Sequence, residues 1–296
     1  MLSDIDGIAI VGLGLIGGSI ARGLRAAGYA GRLSGAVASN ADAPRALELG
    51  LVDDCHAEIA EAVSEAELIV VATPPGMIEP VLAQIAASRR ADATVTDTGS
   101  SKASVVAAAA RVFDTPAYKR FVPGHPIAGT ENSGLEAGFA TLFQARRVIL
   151  TPDAATDAAA VACVEAMWRA LGAQIARMSP AHHDEILAAT SHLPHVLAYT
   201  LVDTLAAMGE RIEIFEYAAG GFADFTRIAS SDAALWRDIV TANREPVLAT
   251  LDAYMARLQD VRAAIANGDD DRLYRVFERA KTARDGFVSV RERNER

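Results

Sequence analysis

Gly7-Ile-Ala-Ile-Val-Gly12-Leu-Gly14-Leu-Ile-Gly17-Gly-Ser-Ile-Ala-Arg-Gly-Leu24 decides the fold. The apolar run up to Val11 is too short and too β-branched for a helix, so it reads as a buried strand. Gly-x-Gly-x-x-Gly follows it and opens a helix whose apolar positions are Ile16, Ile20 and Leu24. Here Gly12 turns the chain, Gly14 lets a pyrophosphate approach the backbone, and Gly17 lets the helix lie close to the strand. In this strand–turn–helix setting the motif predicts dinucleotide binding, with Leu15 and Ile16 in the same turn.

The next strands extend that reading. Arg32-Leu-Ser-Gly-Ala-Val-Ala-Ser39 is the second strand, and it ends in Val37-Ala38-Ser39-Asn40. A carboxylate there would accept hydrogen bonds from a ribose 2′-hydroxyl and repel a 2′-phosphate. None stands there, and Ser39 and Asn40 could donate to a phosphate. The nearest arginine, Arg45, lies in the next helix, so NAD and NADP both remain open. Glu67-Leu-Ile-Val-Val-Ala-Thr73-Pro74 ends where the dinucleotide crevice should lie. Ala93-Thr-Val-Thr-Asp97-Thr-Gly-Ser100-Ser-Lys102 is expected to carry hydroxyls and one lysine into the same crevice. Ser100 and Ser101 suit both helix capping and an active-site role.

Phe121-Val-Pro-Gly-His125-Pro-Ile-Ala-Gly-Thr130-Glu131 follows. Pro126 restricts His125 toward extended geometry, and Gly124 and Gly129 permit tight turns with positive φ. The expectation is an imidazole presented on a stiff turn at a strand end. Arg147-Val-Ile-Leu and Ala173-Gln-Ile-Ala-Arg-Met add two strands around a helix over 156–171. Strands alternating with helices imply an α/β, doubly wound Rossmann domain over residues 1–178.

From Ser179 the pattern turns helical, which predicts an all-helical C-terminal domain over residues 179–296 for substrate binding and dimerisation. Ser179-Pro180 is a helix start. Leu193, Leu197, Leu201 and Leu205 recur as a core stripe, while Ser191, His192, His195 and Tyr199 look out on another face. Pro194 should kink this helix. The i/i+3 histidines lack a nearby carboxylate, so no metal site is predicted. Gly220-Gly-Phe-Ala-Asp-Phe-Thr-Arg227 reads as a glycine-hinged loop. Val247, Leu251, Tyr254, Leu258, Val261 and Ile265 form a coiled-coil-like seam that needs a partner, hence a homodimer. Asp269, Asp270 and Asp271 suit the start of a last helix.

Composition narrows the class. The 296 residues are 51% hydrophobic and 22% charged, which fits a soluble two-domain protein with a generous core. A net charge of −10 with no basic stripe argues against nucleic acid, although a few local arginines could still bind an anionic small molecule. Two cysteines, Cys55 and Cys163, suggest neither zinc nor a disulfide framework. The start of the chain has no basic n-region, and no apolar run approaches a membrane span, so the expectation is cytoplasmic with no membrane partner.

In order, Gly-x-Gly-x-x-Gly, Thr-Asp-x-Gly-Ser, Gly-His-Pro-Ile-Ala-Gly-Thr-Glu, Ser-His-Leu-Pro-His and Gly-Gly-Phe-x-Asp-x-Thr-Arg resemble the prephenate/arogenate (cyclohexadienyl) dehydrogenases of tyrosine biosynthesis. The likeness runs from Gly7 into the last helices, and the departure is the end of the second strand, where relatives often show Asp or Arg. The resemblance implies NAD(P)-dependent oxidative decarboxylation of prephenate to 4-hydroxyphenylpyruvate, or of arogenate to tyrosine. It implies that His125 accepts the proton of the ring C4 hydroxyl and that Ser100 hydrogen-bonds near that hydroxyl and the nicotinamide. His195, Arg227 and Thr130 are implied to meet the substrate, and Glu131 to gate the site through Arg227. Two other readings compete: a β-hydroxyacid dehydrogenase, disfavoured because residues 179–265 contain no lysine, and a catalytically silent dinucleotide sensor.

Overall fold

The computed structural model describes residues 2–208 and 219–294. Six parallel strands form the main sheet: β1 (Gly7–Val11), β2 (Arg32–Ala36), β3 (Asp54–His56), β4 (Leu68–Val71), β5 (Thr94–Asp97) and β6 (Phe121–Val122). Their order is β3-β2-β1-β4-β5-β6. The chain winds outward from β1 in both directions, so the switch point lies between β1 and β4, where α/β sheets bind ligands. Ile8, Ile10, Leu68 and Val70 point into one buried layer, and Ala9, Val11, Ile69 and Val71 into the other. A strand covered on both faces needs such an unbroken apolar run.

A second sheet holds β7 (Gly124–Pro126), β8 (Arg147–Leu150) and β9 (Gln174–Arg177), in that order. β7 runs antiparallel to β8, with His125 opposite Ile149, and β8 is parallel to β9. His125 therefore lies within a strand rather than on the expected turn. Pro126 explains this, since it enforces extended geometry on His125. Gly124 and Gly129 do not adopt positive φ, whereas Gly134 does.

Past β9 the described residues are helical. Ser179 accepts the His182 N–H and Pro180 begins helix Pro180–Leu187, as expected. A π turn, Ala188–His192, then leads into helix Leu193–Ala207. Pro194 sits in the first turn of that helix, and the preceding backbone accommodates its missing donor as a π turn. The leucine stripe of this helix is only half-buried, with Ala198 its one buried residue. Apolar side chains surround the helix, so no single face takes them all in. The segment expected as a glycine-hinged loop is instead a short helix, Gly220–Thr226, followed by the 3₁₀ turn Arg227–Ser230 and helix Ala233–Ala242.

The chain divides into two compact units, Met1–Arg244 and Glu245–Arg296. Helix Arg244–Asn267 supplies most of the second unit together with helix Asp270–Asn294, whose start Asp269 caps by accepting the Arg272 N–H. Along the seam Tyr254, Leu258 and Ile265 are exposed, as are Met255, Tyr274 and Phe277. Among the described residues no helix is long and apolar enough to cross a membrane.

Candidate active site

The glycine turn has the geometry a dinucleotide needs. Gly12 has φ +94°, and a Cβ there would lie 2.6 Å from the Ala72 carbonyl oxygen. A Cβ on Gly17 would lie 1.8 Å from the Gly12 carbonyl oxygen, so only glycine lets the helix Leu15–Ala26 lie this close. At Gly14, the N-cap of that helix, an added Cβ would meet nothing within 4 Å. That open space faces the first turn, whose N–H groups have no partner within the helix and attract anions. Leu15 and Ile16 in this turn are half-buried. At the end of β4, Thr73 carries a buried hydroxyl with no partner among the described residues, beside an exposed Pro74. The open cradle and this orphaned hydroxyl fit a bound dinucleotide.

The far end of the nucleotide crevice is less committed. Ser39 and Asn40 are exposed, and the Ser39 hydroxyl oxygen accepts the Ala41 N–H. Arg45 is drawn aside by Glu48 at 3.1 Å and Glu136 at 2.9 Å.

Around His125 the structure is tightly specified. Asp97, the last residue of β5, is fully buried and accepts the N–H groups of Gly99 (2.8 Å) and Gly124 (3.0 Å). Lys102 is also fully buried; its ammonium pairs with Asp97 and donates to the Gly124 carbonyl. Lys102 thus fastens β7 to β5 rather than reaching into the crevice. Burial lowers its pKa, and the Asp97 charge opposes that shift. The expected serine cap is not formed either. Ser101 shares a hydrogen bond with Ser104, and the N–H groups of Lys102 and Ala103 donate to the Asp184 carboxylate at 2.7 and 2.8 Å. Ser100 is half-buried, and its hydroxyl has no hydrogen bond among the described residues.

His125 Nδ1 lies 2.9 Å from His183 Nε2, and His183 Nδ1 lies 2.8 Å from Asp184. His183 and Asp184 are buried, and so is His192. Asn243 donates both to the Asp184 carbonyl at 2.8 Å and to His192 Nδ1 at 3.0 Å. His195 Nδ1 donates to the Ser191 carbonyl, and its ring stacks on Trp236 at 3.4 Å between centroids. Arg227 lies 3.4 Å from Glu131. Thr130 is exposed, and its hydroxyl oxygen accepts the Asn132 N–H.

The electrostatics favour neutral imidazoles. Burial pushes His125 well below the ordinary histidine value, and the nearby Lys102 ammonium adds to that. Burial brings His192 to about 4. His195 is lowered too, by burial and by Arg227, against the Ser191 hydrogen bond. A neutral imidazole with a free nitrogen can accept a proton, and an exposed guanidinium can hold a carboxylate.

His183, Asp184, Asn243 and Trp236 were not singled out from the sequence. The one available signal was the pair His182-His183 beside Asp184, and nothing local tells which of the two histidines faces inward.

Comparison with known proteins identifies the family. Residues 20–177 match the family model described as prephenate dehydrogenase, nucleotide-binding domain, and residues 179–279 match prephenate dehydrogenase, dimerization domain. A cyclohexadienyl dehydrogenase of Zymomonas mobilis is 42% identical over 94% of both chains. The crystal structure of prephenate dehydrogenase from A. aeolicus, in complex with hydroxyphenyl propionate and NAD+, superposes with a TM-score of 0.87. It is 34% identical, covering 94% of this chain and 97% of that one. Synechocystis arogenate dehydrogenase gives a TM-score of 0.78 at 29% identity, covering 95% of this chain and 99% of that one. With the glycine cradle, the buried histidine and both family models in register along the chain, the protein belongs to the prephenate dehydrogenase family of NAD(P)-dependent enzymes.

Proposed function

We propose that this protein oxidatively decarboxylates prephenate, arogenate or both in tyrosine biosynthesis, with His125 as the base. The observation that carries this reading is His125 itself: a buried, neutral imidazole held by its Nδ1, whose Nε2 has no partner among the described residues. A bound NAD(P)+ supplies the hydride acceptor. His125 Nε2 takes the proton of the ring C4 hydroxyl as hydride departs from C4. The ring carboxylate then leaves as carbon dioxide, and its bonding pair completes the aromatic ring. Ser100 lies beyond the end of β5, its hydroxyl without a partner among the described residues, and orients the C4 oxygen. His195, held flat on Trp236, and Arg227 bind the rest of the substrate, with Thr130 and Glu131 beside them. Their neutral and cationic character suits a dicarboxylate.

Residues 1–178 hold the cofactor, through Gly12, Gly14, Leu15, Ile16, Gly17, Thr73 and Pro74. Residues 179–296 supply substrate groups and the contact with a second copy. The exposed apolar residues Leu258, Met255, Ile265, Tyr274 and Phe277 support a homodimer, since an uncovered surface of this kind is unfavourable in water. We place the protein in the cytoplasm. At the end of β2, Val37, Ser39 and Asn40 offer no carboxylate to repel a 2′-phosphate, which supports use of NADP as well as NAD.

The test is a two-by-two assay of prephenate and arogenate against NAD and NADP, following reduced nicotinamide. Turnover of at least one substrate is expected, with NADP accepted at least as readily as NAD. No turnover in any combination would overturn the reading, and a tenfold or greater preference for NAD in kcat/KM would overturn the cofactor part.

A further inference from the structure

We propose that His183 and Asp184 are positioning residues that hold His125 in the one neutral tautomer able to act as a base. The inference deepens the reading of His125 as proton acceptor and rests on it.

Asp184 faces three donors: the Lys102 N–H, the Ala103 N–H and His183 Nδ1. Burial alone would raise its pKa, but these hydrogen bonds outweigh burial and hold the carboxyl below its usual range. An ionised carboxylate only accepts, so His183 Nδ1 must carry a hydrogen. In a neutral imidazole the other nitrogen then bears the lone pair. His183 Nε2 is therefore the acceptor of the 2.9 Å contact, and His125 Nδ1 the donor. The lone pair of His125 is left on Nε2, the nitrogen with no partner among the described residues. One carboxylate thus specifies the tautomers of two rings in series.

The opposite polarity would need His183 doubly protonated and fully buried, with His125 carrying its hydrogen on Nε2 and unable to act as base. The other charged or titratable groups facing the pair are Lys102, His192 and Asp97, the last through Lys102. The Lys102 ammonium opposes a second positive charge there, and His192 is neutral. The tautomers are further held because Asn243 fixes the Asp184 carbonyl, and the Asp184 carboxylate caps helix Ala103–Val112. When His125 Nε2 takes the substrate proton, its Nδ1–H stays bonded to His183. The new charge is then met by the carboxylate one ring away.

Long-range ¹H–¹⁵N spectra of the labelled wild-type protein read the tautomers directly, with His125→Asn and His183→Gln used for assignment. Both rings are expected as the Nδ1–H form near neutral pH. His125 observed with its hydrogen on Nε2 would overturn the proposal, whatever the enzyme's substrate proves to be. In kinetics, His183→Leu removes the acceptor for His125 Nδ1. It should lower kcat on the order of 10²–10⁴-fold, the scale of losing a correctly oriented base, with KM and NAD(P)+ affinity changed by only about threefold. His183→Gln keeps an oxygen to accept from His125 and should recover most of that loss. A folded His183→Leu enzyme with near-normal kcat would refute the positioning role. If His183→Leu does not fold, the tautomers and the glutamine variant decide the matter. Absence of turnover in the wild type would instead strike the function assignment, leaving the tautomer measurement standing.

Discussion

Arg227 Nη1 lies 3.4 Å from the Glu131 carboxylate, joining two residues 96 positions apart. The pair is exposed, so water screens it and its strength is modest. A substrate carboxylate reaching Arg227 competes with Glu131 for the same guanidinium. Glu131→Gln should therefore lower KM a few-fold, and Arg227→Ala should raise KM strongly with kcat comparatively intact. Lysine at 227 should rescue poorly, because an ammonium lacks the planar fork. Steady-state kinetics decide: a raised KM in Glu131→Gln would mean that Glu131 itself holds substrate.

For His125, the expected signature lies in turnover rather than binding. A group that acts only as hydride leaves contributes mainly in the transition state. His125→Asn should lower kcat by roughly 10²–10⁴-fold with little change in KM. Because burial disfavours the imidazolium, the acid limb of kcat/KM should lie well below pH 6.5, and the asparagine variant should lose it. Near-normal turnover with an unchanged limb would remove His125 from the mechanism.

The same burial makes stability depend on pH. His192 titrates at about 4 when folded, and near 6.5 when unfolded, so the unfolded chain binds the extra proton first. Stability present above about pH 6.5 is therefore lost as pH falls toward 4. Between pH 7 and pH 5 this ring alone costs about 2 kcal/mol, and His125 adds to the loss in the same direction. Urea midpoints measured across that range should fall; a flat profile would mean that the folded protein stabilises both imidazolium ions.

Two glycines of one motif should fail differently. Gly14→Ala places a methyl in open space at ordinary φ, so melting should be nearly unchanged while NAD(P)+ affinity drops. Gly17→Ala drives a Cβ into the Gly12 carbonyl and should destabilise the fold itself. Thermal melts beside a dinucleotide titration separate the cases. Equal loss of stability in both variants would contradict the open cradle.

The parallel sheet was legible in the chain because its signals are local. A β-branched apolar run, a glycine turn and a capped helix each declare themselves within a dozen residues. Residues 7–24 marked the nucleotide site, Ser179-Pro180 marked a helix start, and Pro126 already dictated extended backbone at His125. Tertiary structure alone decided what surrounds that imidazole. Lys102 looked like a crevice residue until its ammonium met Asp97 and the Gly124 carbonyl, the second a contact that exists only once β5 and β7 lie side by side. Gly220-Gly221 looked like a hinge, yet the segment is helical because backbone hydrogen bonds there outweigh glycine's modest preference against helix. His183 and Asp184 sit 58 and 59 positions past His125, and no periodicity records that a helix brings them to its ring. Local pattern determined which elements form; only their packing determined which nitrogen of His125 meets His183.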